Sequence, residues 1–177
     1  MSEYHLILGQ LQDVITGQVL PETHDEQYRQ EIARLLLAHK GYHRADITPR
    51  EELAIETGGR EARIQIDFVI SLNGVVSMII RYGPGSLVSR ERPSLAASRL
   101  LTAYQIPIVV VTNGKDAEIL DGPTGKVLAG GLAAIPSRAE LEAIVGGSTL
   151  VPVSAKRKEM EKRILYSFEA VNTCRVG

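Results

Sequence analysis

The run from Arg63 to Tyr82 constrains this chain more than any other stretch. Two segments rich in Ile, Val and Phe flank Asn73-Gly74. That dipeptide accommodates the positive φ angles of a two-residue type I′ hairpin turn. One acid, Asp67, sits inside the first segment between Ile66 and Phe68. A carboxylate in such company must be solvated, paired or bound to a cation, because burying it bare is costly. With a two-residue turn Leu72 pairs with Val75, and Asp67 is expected opposite Ile80 with Tyr82 on the same side. A three-residue loop would instead set Ile79 and Arg81 beside it.

The remaining elements follow from periodicity and turn residues. Residues 5–24 read as an extended, irregular lead-in with breaks at Thr16-Gly17 and Pro21. A helix is expected over roughly 25–40, with Asp25 near its start, Gly41 beyond its end, and Ile32, Leu35, Leu36 and His39 on the buried face. Residues 51–57 suggest a strand that turns at Gly58-Gly59. Gly83-Pro84-Gly85-Ser86 forms a loop, and Pro93 fits the first turn of a helix carrying Leu95, Ala96, Leu100 and Leu101. The β-branched run Ile106 to Val111 predicts a strand buried on both faces, with Pro107 its weak point because a proline belongs at a strand's first residue or at an edge. Thr112-Asn113-Gly114 leads to a strand from Ala117 to Leu120, and Ser137 caps a short helix ending at Gly146-Gly147. From about 154 to 171 an amphipathic helix is expected, with Met160, Ile164, Leu165, Phe168 and Val171 on one side and Lys156, Arg157, Lys158, Lys162 and Arg163 on the other. That basic face could bind phosphates but reads better as a solvated surface interleaved with Glu159 and Glu161.

This order describes an α/β domain, a mixed central β-sheet flanked by helices. Residues 1–147 form the domain, and residues 148–177 form a C-terminal helix packing on it or on a partner. The formal net charge of −1 gives no global pull toward nucleic acid, so any DNA contact must come from a local basic patch. A lone cysteine, Cys174, excludes an intrachain disulfide and a multi-cysteine zinc site. The start Met1-Ser2-Glu3-Tyr4-His5 lacks the basic and apolar parts of a signal peptide, so a cytoplasmic location without a membrane span is expected.

The hairpin with its strand acid resembles the catalytic hairpin of PD-(D/E)XK nucleases, in which an Asp on one strand faces a Glu-x-Lys on the next. Strand order, the Asp25-Glu-Gln-Tyr-Arg-Gln-Glu-Ile helix, Gly41-Tyr42 and the Val111-Thr-Asn-Gly114 turn resemble the N-terminal nuclease domain of type I restriction enzyme R subunits. The resemblance is clearest over residues 22–122. It implies a restriction-endonuclease-like fold, DNA as the substrate and Mg2+-dependent phosphodiester chemistry. No Gly-x-x-x-x-Gly-Lys-Ser/Thr loop is present, so the motor domains of a full R subunit are absent from this sequence.

On that resemblance Asp67 matches the first acid and Glu26 the helix acid. The Glu-x-Lys is broken: Ile80 and Tyr82 stand in its place, or Ile79 and Arg81 in the shifted register. Arg81 could clamp a phosphate but cannot serve as a base. Glu91 is the one acid placed to compensate as a migrated metal ligand beside Asp67, and Leu100 breaks the Gln-x-x-x-Tyr that Tyr104 would complete. Arg90, Arg92, Arg99 and Ser86 are the candidate phosphate contacts. Each residue also admits a structural role: Asp67 paired with Arg63 or Gln65, Glu26 on the helix dipole, Glu91 in a surface ion pair. The expectation is a nuclease-like domain with a degenerate motif and weak or no cleavage. An active Mg2+ enzyme using Glu91 or Glu26, and a non-catalytic oligomerising or anion-binding module, stand beside it.

Overall fold

The computed structural model describes residues 6–174, with side chains placed through Glu169. The Val171 and Cys174 side chains and the first five residues therefore lie outside the described part. Strand β1 (Gly9–Gln12) and β2 (Val19–Glu22) form a small antiparallel ribbon where an irregular lead-in was expected. Its short strands, half exposed, carry too little alternation to be recognised without their partner.

Helix α1 (His24–His39) begins at Thr23, whose hydroxyl accepts from the Glu26 N–H, and stops before Gly41, which takes a φ of 74°. Strands β3 (Ile47–Thr57), β4 (Arg60–Leu72) and β5 (Val75–Tyr82) form an antiparallel meander. Helix α2 (Val88–Leu101) crosses to β6 (Ile108–Thr112), which lies parallel to β5. Strands β7 (Ala117–Asp121) and β8 (Val127–Gly130) complete a six-stranded mixed sheet in the order β3-β4-β5-β6-β7-β8. Helices α3 (Arg138–Gly146) and α4 (Ala155–Cys174) follow. The chain is a mixed α/β protein, consistent with the restriction-endonuclease-like architecture expected.

Both faces of the sheet are covered. On one, Ile32, Ala33 and Leu36 of α1 and Leu141 of α3 pack against Phe68, Ile70, Met78, Ile80, Ile108 and Val110. On the other, Leu95 and Ala96 of α2 and Leu165 of α4 pack against Ile64, Ile66, Val69, Ile79 and Val109. β6 is buried along its whole length between two neighbours, as expected, but it begins at Ile108, so Pro107 lies outside the strand that was expected to start at Ile106.

His39, expected on the buried face of α1, is exposed, and three further expectations are corrected. Pro93 lies inside α2 rather than in its first turn, because the helix starts at Val88 and takes in Arg90, Glu91 and Arg92. In α4, Met160 and Phe168 are 47% and 38% exposed, while Glu161 is fully buried beside Leu165. The helix is rotated so that an acid is drawn inward by arginines.

The third correction concerns hairpin register. The turn has two residues, with Asn73 at φ 52° and Gly74 at φ 80°, and Leu72 pairs with Val75 as expected. A β-bulge then intervenes: Ser71 pairs with Val76 but Ile70 with Met78, leaving Ser77 as the extra residue. The Ser77 hydroxyl donates to Val75 O at 2.9 Å. Phe68, not Asp67, therefore faces Ile80, and continuing the register brings Asp67 opposite Arg81.

Candidate functional site

The sheet bends where Asp67 sits. Ile64 and Ile66 belong to one core cluster, whereas Phe68 and Ile70 belong to the other, so two-residue alternation breaks between Ile66 and Phe68. Across from this break, the β3–β4 ladder passes from Pro49↔Phe68 to Glu51↔Ile66 and skips Arg50. Arg50 takes a φ of 54°, an uncommon conformation for a side-chain-bearing residue. The kink lets both a guanidinium from β3 and a carboxylate from β4 reach the end of α1.

There they join a chain of ion pairs. Asp67 Oδ1 accepts from Arg29 Nε at 2.6 Å, and Oδ2 accepts from the Tyr82 backbone N–H at 2.7 Å. Arg29 Nη1 lies 3.5 Å from Glu26 Oε2, one helical turn away. Glu26 Oε1 accepts from Arg50 Nη2 and from Gln30 Nε2, the latter at 2.9 Å. Arg50 Nη1 also donates to Asp13 Oδ2 at 2.5 Å. Asp13, Glu26, Gln30 and Asp67 are all buried. Burial alone would raise the pKa of Asp13, but donation from Arg50 and from the Thr16 and Ile15 N–H groups outweighs it and holds that pKa below its ordinary value.

Aromatic packing fixes Arg29. Its guanidinium lies 5.2 Å from the Tyr82 ring centroid, and Tyr82 stacks on Tyr28 at 5.9 Å. The Tyr82 hydroxyl donates to Asp25 Oδ1 at 2.9 Å; burial first, then this carboxylate, raises its pKa. Tyr28 presses on Gly114, where an added Cβ would sit 2.3 Å from the ring. The Val111-Thr-Asn-Gly114 turn thus supports the site from beneath.

The expected residues do not all converge here. Asp67 and Glu26 meet on opposite sides of Arg29, and neither Arg63 nor Gln65 partners Asp67; Arg63 pairs with Glu52 instead. Arg81 pairs with Glu169 of α4 at 3.3 Å. Glu91 faces Glu118 of β7, whose pKa is raised by burial and by this neighbouring carboxyl. Arg90 lies over Gly83 and donates to Pro84 O at 2.8 Å, and Ser86 is exposed, its carbonyl accepting from Ser89. Arg92 and Arg99 turn to Glu161: Arg99 Nη1 donates at 2.9 Å, and Arg92 Nη2 approaches to 2.6 Å as an ion pair rather than an aligned hydrogen bond.

Sequence reasoning missed Arg29, Arg50 and Asp13. Arg29 had a signal, its spacing of three from Glu26, which puts both on one helix face. Arg50 and Asp13 had none, since their meeting depends on the β1–β2 ribbon and on a positive φ.

A magnesium ion does not fit this arrangement. The ion demands near-octahedral oxygen ligation and keeps several waters. Both Asp67 oxygens and the Glu26 carboxylate are occupied by donors, and no group of three His, Cys, Asp or Glu among the described residues could hold a metal. Guanidinium groups supply the positive charge between the carboxylates.

Fold and site together define an α/β domain in which a strand acid and a helix acid converge beside a hairpin. Residues 24–136 match the family described as type I restriction enzyme R protein N terminus, and the chain belongs to that family. No curated protein and no solved structure matches the chain.

Proposed function

We propose that this domain is a DNA-directed member of its family that cleaves phosphodiesters weakly or not at all. The observation that carries the reading is the occupation of Asp67 by Arg29 Nε and the Tyr82 N–H. A buried carboxylate held this way is a structural ion-pair partner, and displacing a charge-assisted donor from it is unfavourable. The neighbouring strand β5 carries no acid anywhere from Val75 to Tyr82, so it offers none to complete a metal site. Association with DNA then falls to phosphate contacts on the arginine-bearing segment, with Ser86 in the loop and Arg90, Arg92 and Arg99 on α2. This role suits a non-catalytic module better than a free-standing enzyme.

The alternative, an active Mg2+ enzyme, draws on one feature: Glu26 and Asp67 share a single guanidinium, so they lie near one another. Incubation of the protein with plasmid and linear duplex DNA in Mg2+ or Mn2+ separates the two. No cleavage above a no-protein control is expected, and calorimetric titration of the ions should show no saturable site. Cleavage abolished by Asp67→Ala would establish the enzyme reading, and Glu26→Ala and Glu91→Ala would then identify the second ligand.

A further inference from the structure

Away from the Asp67 site, α2 and α4 enclose a second concentration of charge. Glu161, fully buried, receives Arg99 Nη1 at 2.9 Å, Arg157 Nε at 2.6 Å and the close approach of Arg92. Arg99, only 4% exposed, also donates through Nη2 to Gly122 O at 3.2 Å. A recess of about 340 Å³ opens against these side chains, lined by Arg92, Arg99, Arg157, Glu91, Thr124 and Gly125. Three guanidiniums face one buried carboxylate. Even with Glu91 counted as ionised, the lining keeps a net positive charge.

An ion staple between two helices would need one arginine per carboxylate. Here the excess cations repel one another in a partly desolvated setting, which is costly. Arg92 Nη1 and Arg99 Nε find no acceptor within the protein. The pKa of Arg99 is lowered, by burial first and also by repulsion from Arg157 and Arg92 against the pull of Glu161. A dianion at the recess would relieve this repulsion, and the fork of a guanidinium matches phosphate oxygens.

We propose that this recess binds a single phosphoryl dianion, either inorganic phosphate or the terminal phosphate monoester of a nucleic-acid strand. The site shares Arg92 and Arg99 with the DNA reading above but does not depend on it. Failure of duplex binding, with phosphate still saturating, leaves this inference intact.

The test is calorimetric titration of the full 177-residue chain with inorganic phosphate at low ionic strength. One saturable site is expected. Arg157→Gln should weaken it by about tenfold or more, the cost of one charge-assisted hydrogen bond, while Arg163→Gln, exposed on the same helix, leaves it unchanged. Titration with a short single-stranded oligonucleotide, 5′-phosphorylated or 5′-hydroxyl, identifies the source. Competition by the phosphorylated strand alone assigns a strand end, and no competition assigns the free anion. Should Arg157→Gln not fold, the arginine Nε–H resonances of the wild-type chain serve instead, and phosphate should shift those of Arg99 and Arg157. Absence of a saturable site, equal affinity in folded Arg157→Gln, or unmoved resonances would overturn the proposal.

Discussion

At the scale of single residues, truncating Arg29 would leave Asp67, 4% exposed, with the Tyr82 N–H and no countercharge from α1. Breaking a buried pair by removing one partner costs about 3–5 kcal/mol. Arg29 keeps a side-chain exposure of 22%, so screening reduces this, and Arg29→Ala is expected to lower the unfolding free energy by about 2–4 kcal/mol. Denaturant unfolding measures it, and adding Asp67→Asn should restore part of the loss. Glu118 shows the opposite sign. Its folded pKa is raised, so the stability it contributes is present below its unfolded value and lost as pH rises through the folded one. Glu118→Gln should therefore melt higher than wild type near pH 7, by about 1–3 °C. The gap should close near pH 4, and scanning calorimetry across that range decides the matter.

Among elements, α4 gives the cleanest contrast. Leu165 is fully buried in the cluster with Ile64, Ile66 and Leu95, whereas Met160 on the same helix is 47% exposed. Leu165→Ala is expected to cost about 2–5 kcal/mol through lost burial and the cavity left behind, and Met160→Ala less than about 0.5 kcal/mol. Equal effects in chemical denaturation would mean that α4 does not dock as described. The β4–β5 hairpin carries a subtler device. Asn73-Gly74 sets a two-residue turn, but the Ser77 bulge resets the register before it reaches Asp67. An element can thus have the right turn and the wrong partners.

For the molecule as a whole, two buried charge clusters, one on each side of the sheet, link stability to pH. Burial works against the carboxylates of Asp13 and Glu161, but their arginine partners win, and both pKa values lie below the ordinary 3.8 and 4.5. Stability from depressed carboxylates is complete above the unfolded pKa and drains away as pH falls through the folded one. The melting temperature should accordingly hold nearly flat from neutrality to about pH 5 and drop steeply below pH 4, as read by circular dichroism. A flat profile down to pH 2 would show that neither cluster contributes.

Much of the architecture is legible in the residues themselves. The β-branched run of β6, the Asn73-Gly74 turn, the Ser137 cap and the period of α1 each report short-range physics: backbone sterics, capping and side-chain alternation. Those rules act within a few residues, so the chain's own order of residues settles most of the central elements, their succession and the family resemblance that residues 24–136 bear out, but not the β1–β2 ribbon or β8. How the charges are neutralised is settled only by tertiary packing. Asp67 and Arg29 are 38 residues apart, Arg50 and Asp13 are 37, and Arg99 and Glu161 are 62. A buried carboxylate requires a partner, but the partner is whichever cation the packed helices deliver. That selection depends on a bulge, a positive φ at Arg50 and the rotation of α4, and none of these has a local signature.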